Sequence, residues 1–187
     1  MFISKNEADH FSYEDSVIKD VQITDDHISL QVDALIVEPQ NSQNTNFQRS
    51  YADTATIFFE NGKILKGVKE GYKRYDANDK LLEEVADQEL NDEQLGTLLS
   101  GLKEQYLYDL KEVDSEKPAD GVMEKSDKNA ADDESAADGN VGMHQYVLGI
   151  EMATDDITGV DADSYQLLVS CGDMKVSWAR YLNRISQ

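Results

Sequence analysis

Between Ser16 and Val37 the chain reads "SVIKDVQITDDHISLQVDALIV", and its apolar positions recur with a period of two. Val17, Val21 and Ile23 share one side of a first predicted strand. Ile28, Leu30, Val32, Ala34 and Ile36 share one side of a second. Alternation of this kind marks a half-buried antiparallel strand, because successive side chains leave a strand on opposite faces. The intervening "TDDH" supplies short polar side chains that bond local backbone and favour a turn. A hairpin is the expectation.

A polar run, "PQNSQNTNFQRSYAD", then predicts a loop, opened by Pro39. "TATIFFENGKIL" follows, with Asn61-Gly62 between β-rich flanks. Both residues tolerate the positive φ that a type I′ turn needs, so a second hairpin is predicted there. "GYKRYDANDKLLEEV" reads as strand, turn and strand, with Tyr72 and Arg74 on one side.

One helix is marked, near 91–103. Asn91 is placed as N-cap and Gln94 follows three residues on, a capping-box pattern. Leu90 and Leu95 stand where a hydrophobic staple would form, and Leu95, Leu98, Leu99 and Leu102 fall on one face. Gly96 and Gly101 weaken it, so the helix needs support from a sheet.

Strand patterning then resumes. Tyr106, Tyr108 and Leu110 alternate, as do Tyr146, Leu148, Ile150 and Met152, and again Tyr165, Leu167 and Val169. "CGD" at 171–173 predicts a further hairpin turn, and "ARYLNRI" a short C-terminal helical segment. The fold class is α+β, mainly β: an antiparallel sheet or β-sandwich built from hairpins, with one amphipathic helix.

Residues 114–142 interrupt this pattern with nine acids, three lysines, no aromatic residue and little else that is apolar. Such a segment offers too little burial to offset its ordering entropy, so a flexible or disordered acidic loop is expected. The 45 residues after it are few for an independent domain. The reading is one domain over 1–187, with this loop inserted between neighbouring strands.

Composition narrows the function classes. Thirty-eight Asp and Glu against 17 Lys and Arg give a net charge of −21. Binding to a phosphate backbone rests on cations that displace counterions, so nucleic acid is excluded as a partner. Anionic lipid is disfavoured for the same reason, and no apolar stretch has the length of a membrane span. A basic protein partner is favoured, since an acidic field steers cationic surfaces at long range. Cys171 is the one cysteine, which with the absence of a signal-peptide pattern points to a cytoplasmic protein.

The candidate chemistry is thin. "DANDKLLEEVAD" begins like a calcium loop at Asp76 and Asn78 but puts Lys80 at the fifth ligand place and Leu81 where glycine belongs. It reads better as a plain turn. Asp155, Asp156, Asp161 and Asp163 gather in "DDITGVDADS" and are the candidate partner-contact residues. His10, His27, His144 and Cys171 follow no metal-ligand or nucleophile spacing. Cys171 reads as a small buried hydrophobe and Trp178 as core. No catalytic residue, metal site or cofactor is expected.

"FSYEDSVIKDVQITDDHISLQV", "ATIFFENGKI" and "YQLLVSCGDMKVSWARYL" together resemble small uncharacterised bacterial β-sandwich proteins, some of them immunity proteins encoded beside polymorphic toxins. The resemblance implies a non-catalytic protein that holds a partner, and it carries no residue roles. Two functions are therefore entertained. One is a non-enzymatic, protein-binding or immunity-type protein covering a basic partner. The alternative is an enzyme or divalent-cation or ligand-binding protein, built on the carboxylate clusters or on Cys171 with a histidine.

Overall fold

The computed structural model describes residues 1–113, 143–153 and 162–184. The chain opens with β1 (Phe2–Lys5), a 3₁₀ turn at Ala8–His10, and β2 (Phe11–Ser12). The predicted first hairpin is β3 (Val17–Ile23) and β4 (His27–Asp33), which pair antiparallel. Thr24 Oγ1 accepts the backbone N–H groups of Asp26 and His27 and so closes its turn. Next come β5 (Ile36–Val37), β6 (Ser50–Ala52), β7 (Ala55–Glu60) and β8 (Lys63–Lys69). A small hairpin, β9 (Tyr72–Tyr75) and β10 (Leu81–Val85), precedes β11 (Gln88–Glu89) and helix α1 (Asp92–Ser100). The remaining strands are β12 (Tyr106–Val113), β13 (His144–Ala153), β14 (Ala162–Cys171), β15 (Met174–Trp178) and β16 (Tyr181–Arg184).

Ten strands make one sheet in the order β1-β15-β7-β4-β3-β12-β13-β14-β8-β11, all pairs antiparallel. At its middle β3 and β12 share one ladder pair, Val17 with Tyr106, beside which Ile18 N–H donates to Gln105 O and Leu107 N–H to Ser16 O. Buried side chains from both five-strand halves join one hydrophobic cluster. Phe59 of β7 and Tyr146 of β13 meet there with ring centroids 5.8 Å apart. A four-stranded sheet, β16-β6-β5-β2, covers one end. The mainly-β antiparallel architecture is thus the expected one, with one α-helix among the described residues.

Several cores follow the alternation. Ile28, Leu30 and Val32 are buried on β4, and Tyr146, Leu148 and Ile150 on β13, with Met152 packed against the same cluster. The capping box at α1 is complete: Asn91 Oδ1 accepts from Gln94 N at 2.9 Å, and Gln94 Oε1 from Asn91 N at 3.0 Å. Leu90 and Leu95 both stand over Gly67 of β8, where an added Cβ would lie 3.2 and 3.0 Å from their methyls. Leu98 and Leu102 enter the core.

Other expectations are corrected. The second strand does not run through Ala34, whose φ of +60° turns the chain, so Ile36 is buried in the four-stranded sheet instead. A bulge after Ile18 brings Ile18, in place of Val17, onto the face of Val21 and Ile23; Ile18 is fully buried there, while Ile23 at the strand end is exposed. On β12 a bulge after Leu107 buries Leu107 and Leu110 and leaves Tyr106 and Tyr108 exposed. The C-terminal stretch 181–184 is a strand on β6, not a helical segment. Open backbone groups on that edge outweighed a local helical pattern.

The two turns at Asn61-Gly62 and 171–173 are turns but not hairpin turns. Asn61 has φ +53° as its sequence suggests, yet β7 pairs with β4 and β15 while β8 pairs with β14 and β11. Likewise β14 and β15 lie in opposite halves. Both turns carry the chain across the sandwich, and they bond each other: Glu60 N–H donates to Asp173 O, and Gly172 N–H to Glu60 O. Turn chemistry sets a change of direction; the burial available to each strand decides its neighbour.

Residues 114–142, expected to form a loop, lie outside the described residues. Their flanking strands β12 and β13 are paired, with Val113 opposite Gln145. Deleting 116–140 and joining the ends with a short Gly/Ser turn should therefore leave the thermal midpoint level or higher. Closure entropy changes slowly with loop length, and losing eight acids and three lysines moves the charge from −21 to −16. A scanning calorimetry midpoint several degrees lower would count against this. Among the described residues, no helix is long and apolar enough to cross a membrane.

Candidate functional site

Strands β8 and β11 pair at the edge of the large sheet, and the chain between them continues outward as the β9–β10 hairpin. Gly71 sits at its root, where a Cβ would lie 2.0 Å from Val85 O. Only glycine fits this backbone approach. At the tip Asp76 Oδ1 accepts the N–H groups of Asn78 and Lys80, and Asp79 has φ +58°. The calcium-like "DAND" segment is accordingly a turn whose first ligand position is spent on backbone.

Opposite residues in an antiparallel pair share a face. One face of the arm carries Tyr72 with Val85 and Arg74 with Glu83; the other carries Tyr75 with Leu81 and Lys73 with Glu84. Leu82 is the bulge residue. Ion pairs close at 3.2 Å for Arg74–Glu83 and 2.8 Å for Lys73–Glu84. Tyr72, Tyr75, Leu81, Leu82 and Val85 are each 41–56% exposed. They are divided between the two faces, a cross-strand apolar pair beside an ion pair on each, with Leu82 at the bulge. The hairpin as a whole thus exposes more apolar surface than the single exposed leucines that are ordinary on a protein.

At the root lies a recess of about 270 Å³ lined by Glu70, Gly71, Tyr72, Asp87, Asp163 and Ser164. Glu70 accepts from Tyr108 OH and from Gln166 Nε2, both at 2.6 Å. Burial and that carboxylate push the Tyr108 phenol above its ordinary range, so it stays a donor. Asp87 Oδ1 accepts Gly71 N–H at 2.7 Å. Asp163 holds Lys69 at 2.6 Å, which raises the ammonium's pKa.

Of the four candidate contact residues, Asp163 therefore lines this recess with its charge already matched by Lys69. Asp155, Asp156 and Asp161 lie outside the described residues. Tyr75, Leu81, Leu82 and Val85 were not singled out from sequence. The available signal was that neither side of "YKRY" or "LLEEV" is uninterruptedly apolar, which a strand seated over a core requires.

Cys171 and His144 are directly opposite on β14 and β13. His144 Nδ1 contacts Glu112 Oε1, and its Nε2 lies 3.4 Å from Asn6 Nδ2. The thiol is fully buried, and burial, with Asp173, Glu112 and Glu60 nearby, pushes its pKa to about 12. That is the opposite of an activated nucleophile. Folded protein at pH 8 should resist iodoacetamide, with stoichiometric labelling in denaturant; mass spectrometry reads both. Rapid labelling of the folded chain would contradict the burial.

Among the described residues no group of three or more His, Cys, Asp or Glu side chains is arranged to hold a metal ion. No protein-family model matches this chain, and no curated protein or solved structure matches it either.

Proposed function

We propose that this chain is a non-enzymatic protein-binding protein, of the immunity type, that covers a basic protein partner. The supporting observation is the β9–β10 arm. It projects five half-exposed large apolar side chains, and its ion pairs consume two of its own cations. Residues 70–89 hold seven carboxylates against Lys73, Arg74 and Lys80. Electrostatic attraction brings a cationic surface in, and the apolar anchors then hold it. Occlusion of a cationic active site follows from such docking.

The test is co-purification from the native host at low and at high salt, using the wild-type chain and a Tyr75→Ser/Leu82→Ser/Val85→Ser variant. Exposed substitutions of this kind should change stability by no more than about 0.5 kcal/mol each. A basic partner retained at low salt, released at high salt and lost with the variant is the expected result. Equal capture by both proteins would remove the arm from the reading, and no salt-sensitive basic partner would defeat it.

A further inference from the structure

The outer edge of the arm and of the large sheet runs along one segment, "LLEEVADQE", Leu81 to Glu89. Among the described residues β10 pairs only with β9, and β11 only with β8, so both are terminal strands in their sheets. Eight of these nine residues are exposed, Glu83 being the half-buried exception. The segment holds four carboxylates, Glu83, Glu84, Asp87 and Glu89, and no lysine or arginine. The apolar members are Leu81, Leu82 and Val85, with Ala86 at the bend.

Exposed edges carry a row of unpaired backbone donors and acceptors, and proteins usually shorten, cover or charge them. The opposite edge of the sheet shows this protection. On β1, Ser4 is buried and Asn41 of the 38–49 loop donates to its hydroxyl at 2.9 Å. Among the described residues no such cover lies over Leu81–Glu89, whose side chains are, Glu83 apart, exposed. Furthermore, a lone two-stranded hairpin gains little stability by itself, and a third strand would add both backbone bonds and apolar cover.

We infer that Leu81–Glu89 is a strand-addition site for an extended segment of the partner in which lysine or arginine alternates with apolar residues. Strand addition gives affinity through main-chain hydrogen bonds and specificity through side chains flanking the edge. Here those flanking side chains are Glu83 and Glu84, which already have cations on their β9 side and, among the described residues, none on the other. Incoming cations would complete alternating rows of charge, and opposite charges on neighbouring strands stabilise while like charges do not. A second copy of this chain would bring the same acidic edge, at a net charge of −21 per molecule, so self-pairing is opposed.

The inference rests on the arm being the binding surface, and the test separates the two. The probe is a capped peptide of about eight residues, the length of a long strand, alternating lysine and valine. A second peptide has the same side chains with every backbone amide N-methylated, and a third has glutamate in place of lysine. Affinity is read by titration, and the site by backbone amide shifts. The lysine peptide should bind with shifts confined to 72–75 and 81–89, at least tenfold tighter than its N-methylated form, and the glutamate peptide should not bind. Equal binding of the methylated peptide would overturn strand addition while leaving a basic-partner surface in place. Failure of the lysine peptide, or shifts elsewhere, would overturn both. Concentration-dependent dimerisation in sedimentation, abolished by Glu84→Lys, would make a second copy the occupant and overturn the choice of partner.

Discussion

Replacing Trp178 with alanine is expected to lower the unfolding free energy by about 3–5 kcal/mol, the range for truncating a buried large aromatic. Trp178 is 2% exposed and stands where the large sheet meets the four-stranded one. Its ring stacks on Phe2 at 5.4 Å and meets Phe11 and Tyr181 at 5.9 Å each. Removing it strips contacts from β1, β2, β15 and β16 at once. Among the described residues the buried indole Nε1 has no close hydrogen-bond partner, so the loss is mainly one of packing. Trp178→Phe should cost less, since most of the aromatic contact survives. Typical domains have only about 5–15 kcal/mol in total, so the alanine variant stands near the threshold of folding. Equilibrium urea unfolding reads both variants; a loss below about 1 kcal/mol for alanine would mean that the sheets do not depend on this cluster.

Alkaline pH should destabilise the chain steeply. Burial raises the pKa of Tyr13 and of Tyr146, and it holds the Cys171 thiol at about 12. Acidic neighbours reinforce each shift: Asp109 and Asp9 for Tyr13, Glu112 for Tyr146, and Asp173 for Cys171. For a group whose folded pKa lies above its unfolded one, the contribution is intact below the unfolded value and lost as pH climbs past it. The unfolded values are about 10 for tyrosine and about 8.5 for cysteine. Above those, the unfolded chain releases protons that the folded chain keeps, and each group costs about 1.4 kcal/mol per pH unit. Tyr146 and Cys171 should remove several kcal/mol between pH 9 and 11, roughly 1.4 kcal/mol per group and pH unit, and Tyr13 acts in the same direction. Tyr146→Phe should flatten the slope, because one ionisation disappears. Urea midpoints measured along this pH series decide it. A stability at pH 11 equal to that at pH 8 would show that these phenols and the thiol ionise in place.

The features legible in the sequence were those set by one strand or one turn of chain. Clean alternation at Ile28–Val32 and Tyr146–Met152 placed both cores, and Asn91 with Gln94 marked the helix start. Pairing was a different matter. Asn61-Gly62 and Cys171-Gly172-Asp173 have hairpin chemistry, yet each leads to a strand in the opposite half. A turn specifies only its own dihedrals, whereas partner choice depends on residues far along the chain. Bulges at Ile18 and Leu107 likewise shift a face without leaving a trace in the alternation. For the candidate site, acidity was visible from composition. That "LLEEVADQE" lines an outer edge was not, because edge position belongs to the completed sheet.

The two crossings through Asn61-Gly62 and 171–173 have a consequence for how the chain assembles. One half of the sandwich lies within residues 63–171, but the other joins strands from residues 2–60 to β15 at 174–178: β1 pairs with β15, placing Phe2 opposite Trp178. During synthesis β1 must wait, partner-less, until β15 has left the ribosome, and β7 keeps one edge open until then. Folding dominated by such remote pairings is slow, and unpaired edges exposed meanwhile invite aggregation. A chain this acidic has a built-in remedy, since nascent copies carrying many carboxylates repel one another while they wait.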